Sequence, residues 1–436
     1  MKKNSSLCLL IAWLMMMSVI RAAAAADPPV SPAASQSETG LLNLLDKVPS
    51  SSFAGGWLSY VDVAALARNI PGAVYPENTQ AFDVFAAQGL EENVMKVYRA
   101  VAAGPEHINQ MAPAAREFAA ASGLDYFRMS RRLELRSVAG GIDSVWLIGP
   151  YDRDAARKSL ESKGYLLFQQ AGSGAEVWGK NGRIDNGHEM KLMSRDPYFP
   201  FGGDKGMSWP VLMGDELVVS SPGAAAMEAI LSGSEVSLGS SEEVTLAVTH
   251  AANVTDGISG ALAQFFLLTP GAAGLDALDP LPSVPLDNGG VPVPAREAPL
   301  DRVLPPYSLI TFSHVFQEDA QFVIVGLTFA EEMSAAAGRA ALESRYPLAA
   351  PRAQGAPGKK FLKDMIGDMG GESAPLHIEK SGSGAAVLLM PFRFPLQPIV
   401  AGNAGASGSD SPFGLFIHLL MTRDLDWLTA GTAPSF

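Results

Sequence analysis

The chain has 436 residues, one cysteine and a formal net charge of −13. The acidic balance argues against nucleic acid as a partner, because binding to phosphates relies on Lys and Arg, and a single cysteine excludes a framework of disulfides. With 47% apolar residues the chain can bury a core, and its length suggests two or three domains.

The first 26 residues have the three parts of a secretory signal peptide, namely a basic start, an apolar run from Leu7 to Ile20 and small residues up to Ala26. Cleavage would remove Cys8 and three basic residues, which changes the net charge to −16. The sequence therefore predicts a periplasmic or secreted protein without cysteine and, once cleaved, without a membrane span. Arg21 directly follows the apolar run, so retention as a membrane anchor is the alternative.

A low-complexity lead-in is predicted over 27–40, followed by an N-terminal domain over 41–268. This domain opens with "WLSYVDVAALARN" (57–69), in which strand-like alternation passes into a helical pattern at Asp62. A carboxylate at that junction can accept amides of the first helical turn, so we interpret Asp62 as a helix cap rather than a catalytic acid. Apolar residues over 82–101 recur at helical spacing.

One pattern occurs twice along the chain. The apolar residues 145–148 lead into "GPYDRDAARKSLESKGY", and 323–325 lead into "GLTFAEEMSAAAGRAALESRY". Each copy reads as a strand, a glycine and an amphipathic helix, and each is followed by a pair of strands, at 166–180 and 378–394. The sequence predicts an α+β fold with two split-βαβ, ferredoxin-like units, in which antiparallel sheets are packed by helices.

A segment rich in proline separates the two copies. Nine prolines fall between Pro270 and Pro306, and proline removes the amide donors that helices and sheets need. We therefore predict a linker or long loop over 269–306 and a C-terminal α+β domain over 307–430. Its last helix is expected where Phe413, Phe416 and Leu420 form one apolar stripe.

The order "SYVDVAALARN", "YLLF…AEVWGK", "MGDELVVSS…MEAIL" and "FVIVGLTFAEEMSAAA" resembles exported bacterial proteins that are catalogued only as domains of unknown function. The resemblance covers most of residues 41–430. It implies a location in the cell envelope and an α+β fold, and it brings no catalytic motif.

The sequence offers no catalytic constellation and no cofactor motif. His188-Glu189 begins like a zincin motif, but Leu192 stands where the second histidine is required. Glycine-rich stretches occur at predicted hairpin turns, where they supply turn geometry rather than bind phosphate or hold a nucleophile. An enzyme whose residues meet only in the fold remains an alternative. It would place one of the histidines, His107, His250 or His314, beside a carboxylate.

The segment "DPYFPFGGDKGMSW" contains four aromatic residues among glycines, namely Tyr198, Phe199, Phe201 and Trp209. Aromatic loops of this kind bind ligands or partner proteins, because rigid rings bury much area at small entropic cost. The alternative interpretation is that the loop folds over the domain and places its rings in the core.

In "HEMKLM" the imidazole of His188 and the thioethers of Met190 and Met193 are soft or borderline ligands that suit Cu(I). Methionine is also a common filler of apolar cores, which is the alternative.

Three classes of function follow from these observations. The first is a non-enzymatic envelope protein that binds a partner or small ligand or serves a structural role. The second is an envelope hydrolase, and the third is copper handling.

Overall fold

A computed structural model describes residues 34–53, 56–136, 142–170, 174–180, 193, 195–222, 224–233, 235–254, 258–275, 303–349, 361–396 and 411–431. The predicted signal peptide and most of the proline-rich segment lie outside these residues. Within them, no helix is long and apolar enough to cross a membrane.

The N-terminal part contains both helices and strands. In chain order they are α1 (Ala34–Leu45), β1 (Trp57–Asp62), α2 (Val63–Asn69), α3 (Thr79–Ala87), α4 (Glu91–Ala100), α5 (Glu106–Asn109), α6 (Ala115–Ser122), β2 (Arg131–Arg136), β3 (Ile142–Ile148), α7 (Arg153–Ser162), β4 (Tyr165–Gln170), β5 (Glu176–Lys180), β6 (Val211–Met213) and β7 (Leu217–Ser220). The helix α1 begins inside the predicted lead-in 27–40, because Leu41, Leu44 and Leu45 of its last turns are buried in the core.

The remaining elements are also a mixture of helices and strands. They are α8 (Ala224–Ser232), α9 (Glu242–Thr249), β8 (Asn253–Val254), β9 (Ile258–Ser259), β10 (Ala261–Leu268), β11 (Leu309–Phe316), β12 (Ala320–Phe329), α10 (Glu332–Arg345), α11 (Leu362–Asp368), β13 (Glu372–Ser373), β14 (His377–Lys380), β15 (Ala386–Pro395) and α12 (Pro412–Met421). Helices and a large antiparallel sheet confirm the α+β class.

Thirteen of the described strands join in one sheet, and β8 and β9 form a separate pair. Its order is β13-β15-β12-β11-β10-β1-β2-β3-β7-β6-β5-β4, with β14 also paired to β15. The prediction of two split-βαβ, ferredoxin-like units is not confirmed. The reason is that β10 pairs with β1 on one side and with β11 on the other, so the sheet runs unbroken across the predicted boundary.

The repeated pattern in the sequence nevertheless has a structural counterpart. In each half a strand (β1 or β10) pairs with a hairpin (β2-β3 or β11-β12). A helix follows (α7 or α10), and the chain then returns through edge strands to a strand (β7 or β15) that pairs with the second hairpin strand. By this order β10 belongs to the second unit, although the predicted domains placed it in the first. The two similar units meet through the antiparallel pair β1-β10.

Both faces of the sheet are covered. Val61, Arg132 and Leu147 lie opposite one another on β1, β2 and β3, and therefore share one face, which packs against α2–α7 and α10–α12. The other face packs against α1, α8 and α9, in a cluster that contains Leu133 of the first unit and Val387 of the second. The two units therefore share part of their core.

Asp62 is a helix cap, as predicted. Its Oδ1 accepts the amide of Ala65 at 2.8 Å, at the first turn of α2. Burial raises the pKa of this carboxyl, an effect that the backbone hydrogen bond opposes. The apolar pattern over 82–101 forms two helices instead of one, because the chain turns at Gly89, which has a φ of 75°.

Candidate functional site

The last strand on one side of the sheet, β4, carries a surface of unusual composition. Within the described part of the chain it pairs with β5 alone. Its first residue, Tyr165, is buried, whereas the side chains of Leu166, Leu167 and Phe168 are 56%, 47% and 47% exposed. The strand contains no charged residue and no proline. We call residues 166–170, the part of the strand that follows the buried Tyr165, the free edge.

Local contacts fix where the free edge begins. The helix α7 ends at Ser162, and Gly164, with a φ of 76°, turns the chain into β4. The Tyr165 hydroxyl then donates to the carbonyl of Trp209 at 3.0 Å, in the core. Because this first residue is anchored, the following residues project along the rim of the sheet.

The apolar side chains of the free edge lie on both faces of the sheet. Leu167 lies opposite Trp178 on the face that the helix α7 covers, and Leu166 lies opposite Gly179 on the other face. The register shifts between Leu167 and Gln169, which is a bulge. A bulge re-aims side chains locally, and here it falls at Phe168, the third exposed apolar residue of the strand.

Two basic residues next to the free edge, Arg157 and Lys163, are paired with carboxylates. Arg157 forms ion pairs with Asp154 at 2.7 Å and with the buried Glu176, and its hydrogen bond to Glu176 lowers the pKa of that carboxyl. Lys163 pairs with Asp196 at 2.5 Å. Both basic side chains are therefore balanced by carboxylates of the same chain.

The opposite edge of the same sheet differs. It consists of the short strands β13 and β14, which carry Glu372, Glu379 and Lys380. Lys380 pairs with Glu332 of α10 at 2.8 Å. Short strands and charged side chains are the devices by which proteins prevent strand pairing at an exposed edge. Apart from its bulge, the free edge lacks them.

A cluster of titratable groups lies near the end of β2, on the sheet face that packs against α2–α7. The Nε2 atom of His107 and the Oδ1 atom of Asp204 are buried, and neither has a hydrogen-bond partner among the described residues. Burial lowers the pKa of His107, and the Asp204 carboxylate opposes that shift. Nearby, burial raises the pKa of Glu134, whose carboxylate accepts from Arg136 at 3.0 Å.

The other two candidate histidines have different surroundings. His314 is buried between Gln264 and Gln321, with ring nitrogens 3.1 and 2.9 Å from their amide groups, and stacks on Phe413. These are neutral partners. His250 follows α9, and its Nδ1 lies 3.4 Å from the carbonyl oxygen of Asn253. Of the three, it is His107 that the fold brings next to a carboxylate.

The aromatic loop is largely part of the core. Phe199, Phe201 and Trp209 are buried in the cluster beneath α3–α7, and Phe199 and Phe201 pack edge to face with ring centroids 5.0 Å apart. A ring inside the core cannot contact a partner, so the predicted binding surface reduces to Tyr198, which is exposed. The packing interpretation accounts for the other three rings.

Of the predicted copper ligands, His188 and Met190 lie outside the described residues, and the Met193 side chain is fully exposed. Among the residues that the structure describes, no group of three or more His, Cys, Asp or Glu side chains is arranged to hold a metal ion.

Sequence reasoning missed the free edge. The stretch "YLLF" reads as half of an ordinary hairpin, and the hairpin itself is confirmed. The sequence feature that could have indicated an exposed edge is the run of four apolar residues. It does not alternate with polar residues, and the strand contains no charged residue. Which strand ends the sheet depends on pairings between distant segments, which this feature does not give.

Comparisons with known proteins yield no family. No family model matches the chain, and no curated protein matches it. Two crystal forms of TP0453 are similar in structure to this chain, at 8% sequence identity and TM-scores of 0.29 and 0.28. The matches cover 81% and 80% of this chain, and 94% and 93% of the TP0453 chains. Likeness at this level establishes neither a common fold nor a common function.

Proposed function

We propose that the chain is an exported, non-enzymatic protein of the bacterial cell envelope that binds a partner polypeptide by strand addition at the free edge. The observation that supports this most directly is the contrast between the two ends of the sheet. One end is protected by charges, and the other presents an uncharged strand with Leu166, Leu167 and Phe168 half exposed.

Strand addition uses both features of such an edge. The backbone amides and carbonyls that β4 does not use for β5 offer hydrogen bonds to an incoming strand, and these contribute affinity regardless of sequence. The exposed apolar side chains on both faces then select residues of the incoming strand through cross-strand pairs, each contributing roughly 0.2–1 kcal/mol. The export expected from residues 1–26 supports a partner in the envelope.

A random peptide library displayed on phage tests this proposal. The library is selected on the chain immobilised at low density, and enriched peptides are then compared on Leu167→Lys and Val84→Lys variants. Val84 is 50% exposed on α3 and is the matched control. We expect enriched peptides with extended apolar patterns that bind the control but not Leu167→Lys. Absence of enrichment, or equal binding to both variants, would contradict the proposal.

A second candidate is an envelope hydrolase, which the position of His107 beside Asp204 favours. An imidazole whose Nε2 has no partner among the described residues is suited to act as a general base. Such an activity against ester or peptide probes would be lost in His107→Gln and retained in His250→Gln. Activity that is unaffected by His107→Gln would remove this candidate.

Copper handling through His188, Met190 and Met193 is a third proposal, supported by the ligand types alone. Titration with Cu(I) under reducing conditions tests it directly. Stoichiometric binding that is lost in both His188→Ala and Met190→Leu would support a site, and binding no tighter than that of an unrelated protein would exclude it.

A further inference from the structure

The free edge is suited to pair with a copy of itself. We infer that a second copy of this chain is the partner at β4, bound by antiparallel pairing of two β4 strands about a twofold axis at Leu167. This inference rests on the proposed strand addition and says which polypeptide supplies the added strand.

The sequence of β4 is complementary to itself in this arrangement. With the axis at Leu167, that residue faces its own counterpart, and Leu166 and Phe168 of each copy flank this central pair. The apolar side chains then meet in the centre, and Gln169 and Gln170 fall at the ends, where water can reach them. A twofold interface requires this kind of self-complementary patch, and twofold dimers are the commonest soluble oligomers.

Charge favours the same occupant. Two chains of net charge −13 repel each other over most of their surface. At β4 no charged side chain lies on the strand, and Arg157, Lys163 and their partners behind it form ion pairs within the chain. The free edge is thus a place where two acidic copies can approach without bringing like charges face to face.

The fold already joins similar units in this way. Its two units, each built from a hairpin, a helix and a returning strand, share one sheet through the antiparallel pair β1-β10. Pairing of two β4 strands would repeat that edge-to-edge joining at the outer end of the first unit. The second unit ends in the charged strands β13 and β14, so the sheet would grow at one end and stop after two copies.

Sedimentation equilibrium of the purified chain, as processed by the producing cell, tests the inference. A contact of one strand pair is small, so we expect a reversible dimer with a dissociation constant on the order of 10 μM. Leu167→Lys and Leu167→Glu should each weaken dimerisation at least about 30-fold, because each places like charges opposite one another and removes apolar burial in both copies. The control Val84→Lys should dimerise as the wild type does.

The decisive sample is the equimolar mixture of Leu167→Lys and Leu167→Glu. If residue 167 faces its own counterpart, opposite charges meet in the mixed dimer, and dimerisation should return. A wild type that stays monomeric up to about 200 μM, a dimer insensitive to Leu167→Lys, or a mixture that stays monomeric would each overturn the inference. Circular dichroism confirms that the variants fold.

Two further measurements separate this inference from the proposed function. If the chain is monomeric but still selects peptides that depend on Leu167, strand addition stands and the second copy is excluded. If no peptide is selected and no dimer forms, both fail. Co-flotation with phosphatidylglycerol vesicles that is lost in Leu167→Lys would assign the apolar strand to a lipid surface and overturn both.

Discussion

Asp62 combines a favourable hydrogen bond with an unfavourable burial of charge. It caps α2 through the amide of Ala65, while burial raises the pKa of its carboxyl. When folding raises the pKa of an acid, the protein loses stability as the pH rises through the pKa that the acid has in the unfolded chain. The reason is that the unfolded chain ionises first. The buried charge is therefore a cost at neutral pH, and the cap is a gain.

Substitutions at Asp62 should separate these two effects. Asp62→Asn keeps an acceptor for the cap and removes the charge, so we expect it to be at least as stable as the wild type at pH 7. Asp62→Ala loses the acceptor and should be less stable than Asp62→Asn by about 1 kcal/mol. Urea unfolding measures the difference, and equal stability of the two variants would show that the cap contributes nothing.

His314 should make stability depend on pH. Burial lowers its pKa to about 4, from 6.5 in the unfolded chain, and the hydrogen bond with Gln321 opposes this shift. In the neutral ring, Nε2–H donates to Gln321 and Nδ1 accepts from Gln264, so a second ring proton would face a donor. Stability is therefore complete above pH 6.5 and falls as the pH approaches 4, by up to about 3 kcal/mol.

The variant His314→Gln has no group at this position that titrates in that range. Between pH 7.5 and 4.5 the wild type should therefore lose stability relative to His314→Gln. The difference between their free energies of unfolding should change by most of about 3 kcal/mol. His250→Gln, at a half-buried site after α9, is the control and should follow the wild type. A difference between wild type and His314→Gln that stays constant with pH would contradict the assignment.

At the scale of single elements, the end of α10 shows what sequence patterns convey and what they miss. Arg345 reads as a basic residue that favours the C-terminal end of a helix. In the structure it is fully buried, and it donates to the carbonyls of Trp427, Thr429 and Gly431 at 3.3, 2.7 and 2.6 Å. The pattern located the helix correctly, but the partner lies more than 80 residues away.

Arg345→Lys should destabilise the protein by roughly 2–4 kcal/mol, because an ammonium group cannot reach three carbonyls from the positions of a planar guanidinium and leaves buried acceptors unpaired. Arg339→Lys, on the same helix and paired with Glu343 at its surface, is the control and should change stability by less than about 0.5 kcal/mol. Urea unfolding of both variants decides, and similar losses would show that the buried contacts are not what stabilises this end.

The hairpins were predictable because they are local. The strand pairs predicted at 166–180 and 378–394 both form, as β4-β5 and β14-β15. The pairing of β1 with β10 joins residues about 200 positions apart, and no local pattern encodes it. The free edge was hidden for the same reason, since "YLLF" becomes an edge only through the order of the whole sheet.

At the scale of the whole molecule, two similar units share a single sheet and core. This changes the expected result of cutting the chain between them. A protease site introduced within residues 276–302 would place β10 in one fragment and β11 in the other, although these strands pair over most of their length. We expect the two fragments to elute together under native conditions and to separate only in denaturant. Separation under native conditions would show that the units are independent domains.

Amide hydrogen exchange of Tyr165–Gln170 tests strand addition at the free edge most directly. Exchange is measured by mass spectrometry on the chain alone and on the chain saturated with its strand partner, either a selected peptide or a second copy at high concentration. The amides of β4 should gain protection, because an added strand accepts hydrogen bonds from them, while those of His377–Lys380 at the opposite edge should not change. Unchanged exchange in β4, or equal protection at both edges, would contradict the assignment of the free edge as the binding site.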